Sequence, residues 1–134
     1  MNQRLPTASD ASAADHREAA WPEYAVLVVD DEAGVRNFLE RALRARGCRV
    51  EVAGSSEEGA ERLREQHFDA IVLDIALPGR SGMEWLRSLK NDGFAGDVIL
   101  ITAFADIETA IDALRAGAAD FVLKPFRVDQ IINS

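Results

Sequence analysis

VLVVDDE, residues 26–32, sets an unbroken apolar run directly against a pair of carboxylates. Four residues that are apolar on both sides suit a strand covered on both faces, as in a parallel sheet, rather than a half-wet hairpin. The run opens at Tyr24 and the polarity changes abruptly at Asp30 and Asp31. The same break recurs three times downstream. AIVL (70–73) runs into Asp74, VILI (98–101) into Thr102, and DFVL (120–123) into Lys124 followed by Pro125. A further strand, RVEVA (49–53), alternates in polarity and is predicted to lie at an edge of the sheet.

Helical patterns fill the intervals. Val35, Phe38, Leu39, Ala42 and Leu43 share one face of a first helix that stops at Gly47. Asp30 or Asp31 could also serve as its N-cap. Ser55 with Glu58 has the spacing of a capping box opening a second helix to about Gln66. Pro78-Gly79 reads as a turn, and Met83, Leu86 and Leu89 mark a third helix. Asp106 is placed to cap a fourth, with Ile107, Ala110, Ile111 and Leu114 on one face and Gly117 at its end; Ile107, Ile111 and Leu114 read as core for the most part, or as partly interface. A fifth helix starts at Arg127 with Val128, Ile131 and Ile132 on its inner side; two turns are short for that role and predict a truncated element. Five β–α units imply an α/β domain with a parallel sheet and helices on both faces.

Bulk properties fit one soluble domain. The chain has 134 residues, is 48% hydrophobic and 28% charged, and carries a formal charge of −8. That acidity argues against direct nucleic-acid binding, which needs clustered Lys and Arg. No apolar run reaches the roughly 20 residues of a membrane span. Cys48 is the single cysteine, read as a small buried hydrophobe. Residues 1–22 show no periodicity and no secretory pattern; they predict a flexible extension, leaving 23–134 as the folded domain.

In doubly wound sheets, sites form beyond the carboxyl ends of the strands. Asp30, Asp31, Asp74, Thr102 and Lys124 all fall there. Several carboxylates crowded together repel, and a hard divalent cation with oxygen ligands relieves them; Mg²⁺ is suited. One carboxylate could then act as a nucleophile toward a phosphoryl donor, with Thr102 donating a hydroxyl and Lys124 a positive charge. Singly, each residue reads as well as a cap, a turn or a surface charge. Five of them in order at the ends of four strands point to a site.

At VLVVDDE (26–32), IVLDIALPGRSGMEWL (71–86), ILITAFAD (99–106) and GAADFVLKPF (117–126), the chain resembles the receiver domain of two-component response regulators. The likeness covers about 24–134. It implies a flavodoxin-like (βα)5 fold with a doubly wound parallel five-stranded sheet in the order 2-1-3-4-5. It also implies that Asp74 is the phosphoacceptor. Asp31 and Asp74 would be direct ligands of Mg²⁺ (or Mn²⁺), joined by the Ala76 backbone carbonyl, with Asp30 acting mostly through water. Thr102 and Lys124 would grip the phosphoryl group, Phe121 would be the aromatic switch, and Lys124–Pro125 would be cis. Ala76 and Phe104 would flank the path of the hydrolytic water. Both are apolar here, so the aspartyl phosphate is expected to decay slowly. The stretch from Thr102 to Phe126 also looks like receivers of the nitrogen-regulation (sigma-54 activator) type.

The resemblance further implies a cytoplasmic signalling switch rather than a turnover enzyme. Its partners would be a sensor histidine kinase and a second copy of itself, paired through the face of the fourth helix, fifth strand and fifth helix. It would control a downstream effector, in transcription by the family's habit, without touching nucleic acid itself. A dehalogenase-type phosphatase would need a second Asp where Ala76 stands. A flavodoxin-like cofactor binder would need a Gly/Ser/Thr-rich loop where the chain has DDEAG. A degenerate receiver used only for docking would not need all five rim residues.

Overall fold

A computed structural model describes residues 24–77, 81–103, 107–124 and 128–132, the side chains of 107 and 128 excepted. The elements run β1 (Ala25–Val29), α1 (Ala33–Ala45), β2 (Arg49–Ala53), α2 (Ser56–Glu65), β3 (Ala70–Asp74), α3 (Gly82–Asn91), β4 (Asp97–Thr102), α4 (Ile107–Arg115), β5 (Asp120–Leu123) and α5 (Val128–Ile132). The strands form one parallel sheet in the order β2-β1-β3-β4-β5, as the resemblance implies. β2 is an edge strand. Five predicted features fall outside the described residues: the 1–22 extension, the Pro78-Gly79 turn, the Asp106 cap, the position of Phe104 and the Lys124–Pro125 bond.

Two cores flank the sheet. Leu39 and Leu43 of α1 and Ile131 of α5 pack with Val26, Val28, Val50, Val72, Ile99 and Val122 on one face. Trp85, Leu86 and Leu89 of α3 and Ala113 of α4 pack with Leu27, Ile71, Leu73 and Leu100 on the other. Every residue of β1 and β3 is buried, which is why their sequences read as continuous apolar runs. Cys48 is buried among the first set, and burial pushes its thiol up to about 11. The structure thus bears out the reading of Cys48 as a core residue.

Local chemistry sets the helix ends. Gly47 and Gly117 take positive φ, of 92° and 108°, directly after α1 and α4, the conformation that glycine alone adopts cheaply. Ser55 Oγ accepts the Glu58 N–H at 3.1 Å at the start of α2. The reciprocal half of the capping box is shifted by one residue: Glu58 Oε1 accepts from the Gly54 N–H at 2.6 Å, not from Ser55. Ser81 caps α3 through the Glu84 N–H, at 3.2 Å.

Three expectations need correction. Neither Asp30 nor Asp31 is the N-cap of α1; Glu32 holds that position and makes no side-chain cap bond. Phe38 is not on the buried face of α1 but 48% exposed, because Leu39 and Leu43 alone turn fully inward. In α4 the fully buried residue is Ala113, whereas Ile111 and Leu114 are 41% and 50% exposed. The small residue allows the helix to lie close to the sheet, and the two large ones are left facing outward.

Candidate functional site at the strand ends

The sheet order reverses between β1 and β3, so the connections leave in opposite directions and open a crevice at their carboxyl ends. Asp30 follows β1 and Asp74 closes β3, one on each side of that crevice. Backbone bonds fix both. The Asp30 N–H donates to the Ala53 carbonyl at 3.1 Å, and the Ile75 N–H to the Ile101 carbonyl at 3.0 Å. The Arg36 guanidinium donates to the Asp30 carbonyl at 2.8 Å, tying α1 to the same loop.

The carboxylates are oriented as well as placed. Asp30 Oδ1 accepts the Glu32 N–H at 2.8 Å, and Asp74 Oδ1 accepts the Ala76 N–H at 2.9 Å. Each Asp therefore closes a short turn on the residue two positions on, leaving Oδ2 free to face the crevice. Both Asp side chains are buried, while Asp31 is exposed at the rim. One oxygen from each of Asp30, Asp31 and Asp74 lies within 4.8 Å of the others.

Lys124, from the end of β5, reaches across the crevice. Its N–H donates to the Thr102 carbonyl at 2.7 Å, which locks the ends of β4 and β5 together. Its Nζ stands 2.9 Å from Asp30 Oδ2, 3.2 Å from Asp74 Oδ2 and 2.7 Å from Glu32 Oε1. The approach to Asp30 brings the charges together without the angle of a well-formed hydrogen bond. Burial works against the Lys124 charge, but the carboxylates of Glu32, Asp30 and Asp74 around the ammonium outweigh it and hold the pKa above the ordinary lysine value. Burial also raises the pKa of Asp30; Lys124 and the Glu32 N–H pull it down, and the neighbouring Asp74 charge adds to the rise.

Thr102 is fully buried at the end of β4, one position beyond the residue that pairs with Asp74. Phe121 is half-buried against the α2/α3/α4 core. Ala76 is exposed beside Asp74. The residues singled out from sequence thus share one rim, except Phe121, which sits within β5 behind it, and Phe104, which is not described. Glu32 belongs to this cluster too, although it carried no role in the sequence reading. Its only sequence signal is its place directly after Asp30-Asp31.

The donor set suits a hard cation. Ligand oxygens at about 2.1 Å from Mg²⁺ can be no more than about 4.2 Å apart, close to the spacing of the three carboxylates. With Glu32, four carboxylates face one ammonium, leaving an excess of negative charge that a divalent cation offsets. The acidic cluster is consistent with a receiver-domain Mg²⁺ site, held by Asp30, Asp31 and Asp74.

The fold and the rim together define a doubly wound α/β domain with a carboxylate-and-lysine site at its topological switch point. A family model for the response regulator receiver domain matches residues 26–134. The chain belongs to that family. Among curated relatives, the regulatory protein AtoC of Escherichia coli is 36% identical over 106 residues, which is 79% of this chain and 23% of that protein. The chain therefore spans about a quarter of the length of that relative. Among solved structures, the beryllofluoride-activated NtrC4 receiver domain dimer superposes with a TM-score of 0.77 at 32% identity, covering 82% of this chain and 91% of that one. A response regulator from Burkholderia pseudomallei bearing a phosphorylated aspartic acid superposes with a TM-score of 0.77 at 28% identity, covering 82% and 65%.

Proposed function

We propose that residues 23–134 form a phosphoacceptor receiver that takes a phosphoryl group from a sensor histidine kinase onto Asp74. The observation that carries this reading is the approach of Lys124 Nζ to Asp74 Oδ2 at 3.2 Å, beside the Asp30/Asp31/Asp74 cluster. In the transfer, a carboxylate oxygen of Asp74 attacks the phosphorus of a phosphohistidine. The O–P bond forms as the P–N bond breaks, and the imidazole leaves, taking a proton from solvent. Bound Mg²⁺ (or Mn²⁺) supplies neutralisation of the phosphoryl oxygens. Asp31, Asp74 and the Ala76 carbonyl would hold it directly, with Asp30 acting through water. Lys124 pairs with one phosphoryl oxygen and the Thr102 hydroxyl donates to another.

The added charge then biases a two-state element. Thr102 moves toward the phosphoryl group, and Phe121 fills the space it leaves. That repacks the α4–β5–α5 face, which carries exposed Ile111, Leu114 and Leu123. As Phe121 lacks a hydroxyl, packing alone drives this change. The output is self-association, favoured by the likeness to the NtrC4 receiver domain dimer, and control of a downstream effector in transcription, of the sigma-54 activator type. The domain is a cytoplasmic switch, not a turnover enzyme, and makes no contact with nucleic acid. Ala76 and Phe104 offer no polar group to orient a hydrolytic water, so the phosphorylated state is long-lived.

The test is acetyl phosphate with Mg²⁺, read by intact mass on this chain and on Asp74→Ala. One phosphoryl increment that is labile to hydroxylamine, and lost in the Ala variant, is expected. An adduct that survives the substitution overturns the assignment.

A further inference from the structure

Glu32 is out of character as the N-cap of α1. Ser, Thr, Asp and Asn are preferred there because a short side chain can accept from the open N–H groups of the first turn. Glu32 makes no such bond, although its backbone is extended as a cap requires, with φ −89° and ψ 116°. Its own N–H is held by Asp30 Oδ1, so its Cα is fixed over the crevice. Its side chain is 61% exposed, yet it is committed across the mouth of the site to Lys124, 92 residues away, at 2.7 Å. Among the described residues this is the shortest of the three carboxylate contacts of the Lys124 ammonium.

Two of those contacts come from buried, backbone-braced aspartates that stay in place. The third comes from an exposed side chain on the rim, with no second bond to hold its carboxylate among the contacts described. An incoming phosphoryl group brings fresh oxygens to the same ammonium. It must share Lys124 with Asp30 and Asp74, but it has to compete with Glu32, whose carboxylate would stand against the phosphoryl oxygens without a cation between them. We propose that Glu32 is a latch: its carboxylate occupies the phosphoryl position on Lys124 in the resting domain and must swing out before Asp74 is modified, so it sets the rate of phosphorylation. This rests on the reading of Asp74 as phosphoacceptor. Glu32 is a positioning residue, acting through Lys124.

Two substitutions separate contact from charge. Glu32→Gln removes the carboxylate. Glu32→Asp keeps the charge but is one methylene too short for Lys124, and the shorter acid is drawn onto the open N–H groups of α1 as a cap. With Mg²⁺ saturating, so that altered cation affinity does not enter, both variants should be modified by acetyl phosphate about two- to fivefold faster, the range expected for freeing one partly exposed ion pair. Hydrogen exchange of the Lys124 ammonium, followed by NMR on Mg²⁺-free unmodified protein, should speed up in both. This second readout needs no phosphorylation. Should the parent chain fail to accept a phosphoryl group, the reading of Asp74 falls while the contact is still tested. Unchanged or slower modification of Glu32→Gln overturns the latch. So does a Glu32→Asp variant that behaves like the parent, which would assign the effect to bulk charge. An unaltered ammonium exchange rate in both variants also overturns it.

Discussion

At the scale of single residues, the site is a contest between burial and pairing. Asp30 is fully buried, and its raised pKa means that the fold favours the protonated form over the ionised one. For an acid shifted upward, the stabilising contribution is present below the ordinary carboxylate pKa and is lost as pH rises through the raised value. Above that raised value the ionised Asp30 costs stability. Asp30→Asn keeps an oxygen for the Glu32 N–H and removes that charge. In Mg²⁺-free buffer at pH 7 the variant should melt above the parent, while binding Mg²⁺ more weakly. The gain should shrink toward acid pH, where the parent protonates Asp30 for itself. A variant that melts lower at pH 7 would refute this.

Lys124 behaves with the opposite sense. Its raised pKa belongs to a base, so its contribution is complete below the unfolded lysine value and fades only as pH rises through the higher folded one. Lys124→Met leaves two buried aspartates facing each other without a cation, and should cost about 3 kcal/mol in the metal-free domain. The gap between parent and variant, measured by urea unfolding, should stay level from pH 7 to about pH 10. A gap that closes across that interval would mean Lys124 titrates earlier than its three carboxylates permit.

At the scale of elements, α3 is the piece that braces Asp74. Gly82 opens it and donates its N–H to the Ile75 carbonyl at 3.1 Å. A Cβ on Gly82 would lie 2.4 Å from the Asp74 carbonyl oxygen and 2.7 Å from Ile75 Cα, both backbone atoms that cannot step aside cheaply. On Gly59 of α2 the Cβ would lie 2.7 Å from the Trp85 ring, again inside contact distance but against a side chain. Both Ala variants should lose about 1–3 kcal/mol through overpacking. Only Gly82→Ala should also weaken Mg²⁺ binding and slow phosphorylation, because only it displaces the strand end that carries Asp74. Equal effects of the two on Mg²⁺ affinity would sink the distinction.

The elements also show how far sequence reaches. Strands buried on both faces were legible because burial demands an unbroken apolar run, and the polar residues that end them were legible as a rim. Asp30, Asp31, Asp74 and Lys124 do converge there. Glu32 was not legible, since one acid after two others carries no separate signal until a lysine 92 residues away is seen beside it. In α4, periodicity identified an apolar stripe but not its direction. Ala113 faces the sheet because close packing selects for small volume there, and no hydrophobicity pattern reports closeness. The pattern alone therefore favours core over interface for Ile111 and Leu114, and the structure turns both outward.

At the scale of the whole molecule, that reversal leaves an apolar surface to be accounted for. Ile111 and Leu114 of α4 and Leu123 of β5 are each two-fifths or more exposed on neighbouring elements. Large apolar side chains grouped on a charged surface mark a contact area more often than chance. The chain as a whole carries −8, and a phosphoryl group on Asp74 makes it more negative, so two copies repel at long range. Any self-association must therefore come from apolar burial at this face, which the switch at Thr102 and Phe121 would reshape. Two consequences follow that ordinary charge pairing would not give. Dimerisation of the phosphorylated domain, measured by light scattering, should strengthen with added NaCl as the repulsion is screened. Leu114→Lys, on the exposed side of α4, should abolish it while Asp74 still takes up phosphoryl, because Leu114 lies on the helix and not at a strand end. If mass stays monomeric after complete modification of the parent, the output does not pass through self-association, and the outward turn of Ile111 and Leu114 serves a different partner.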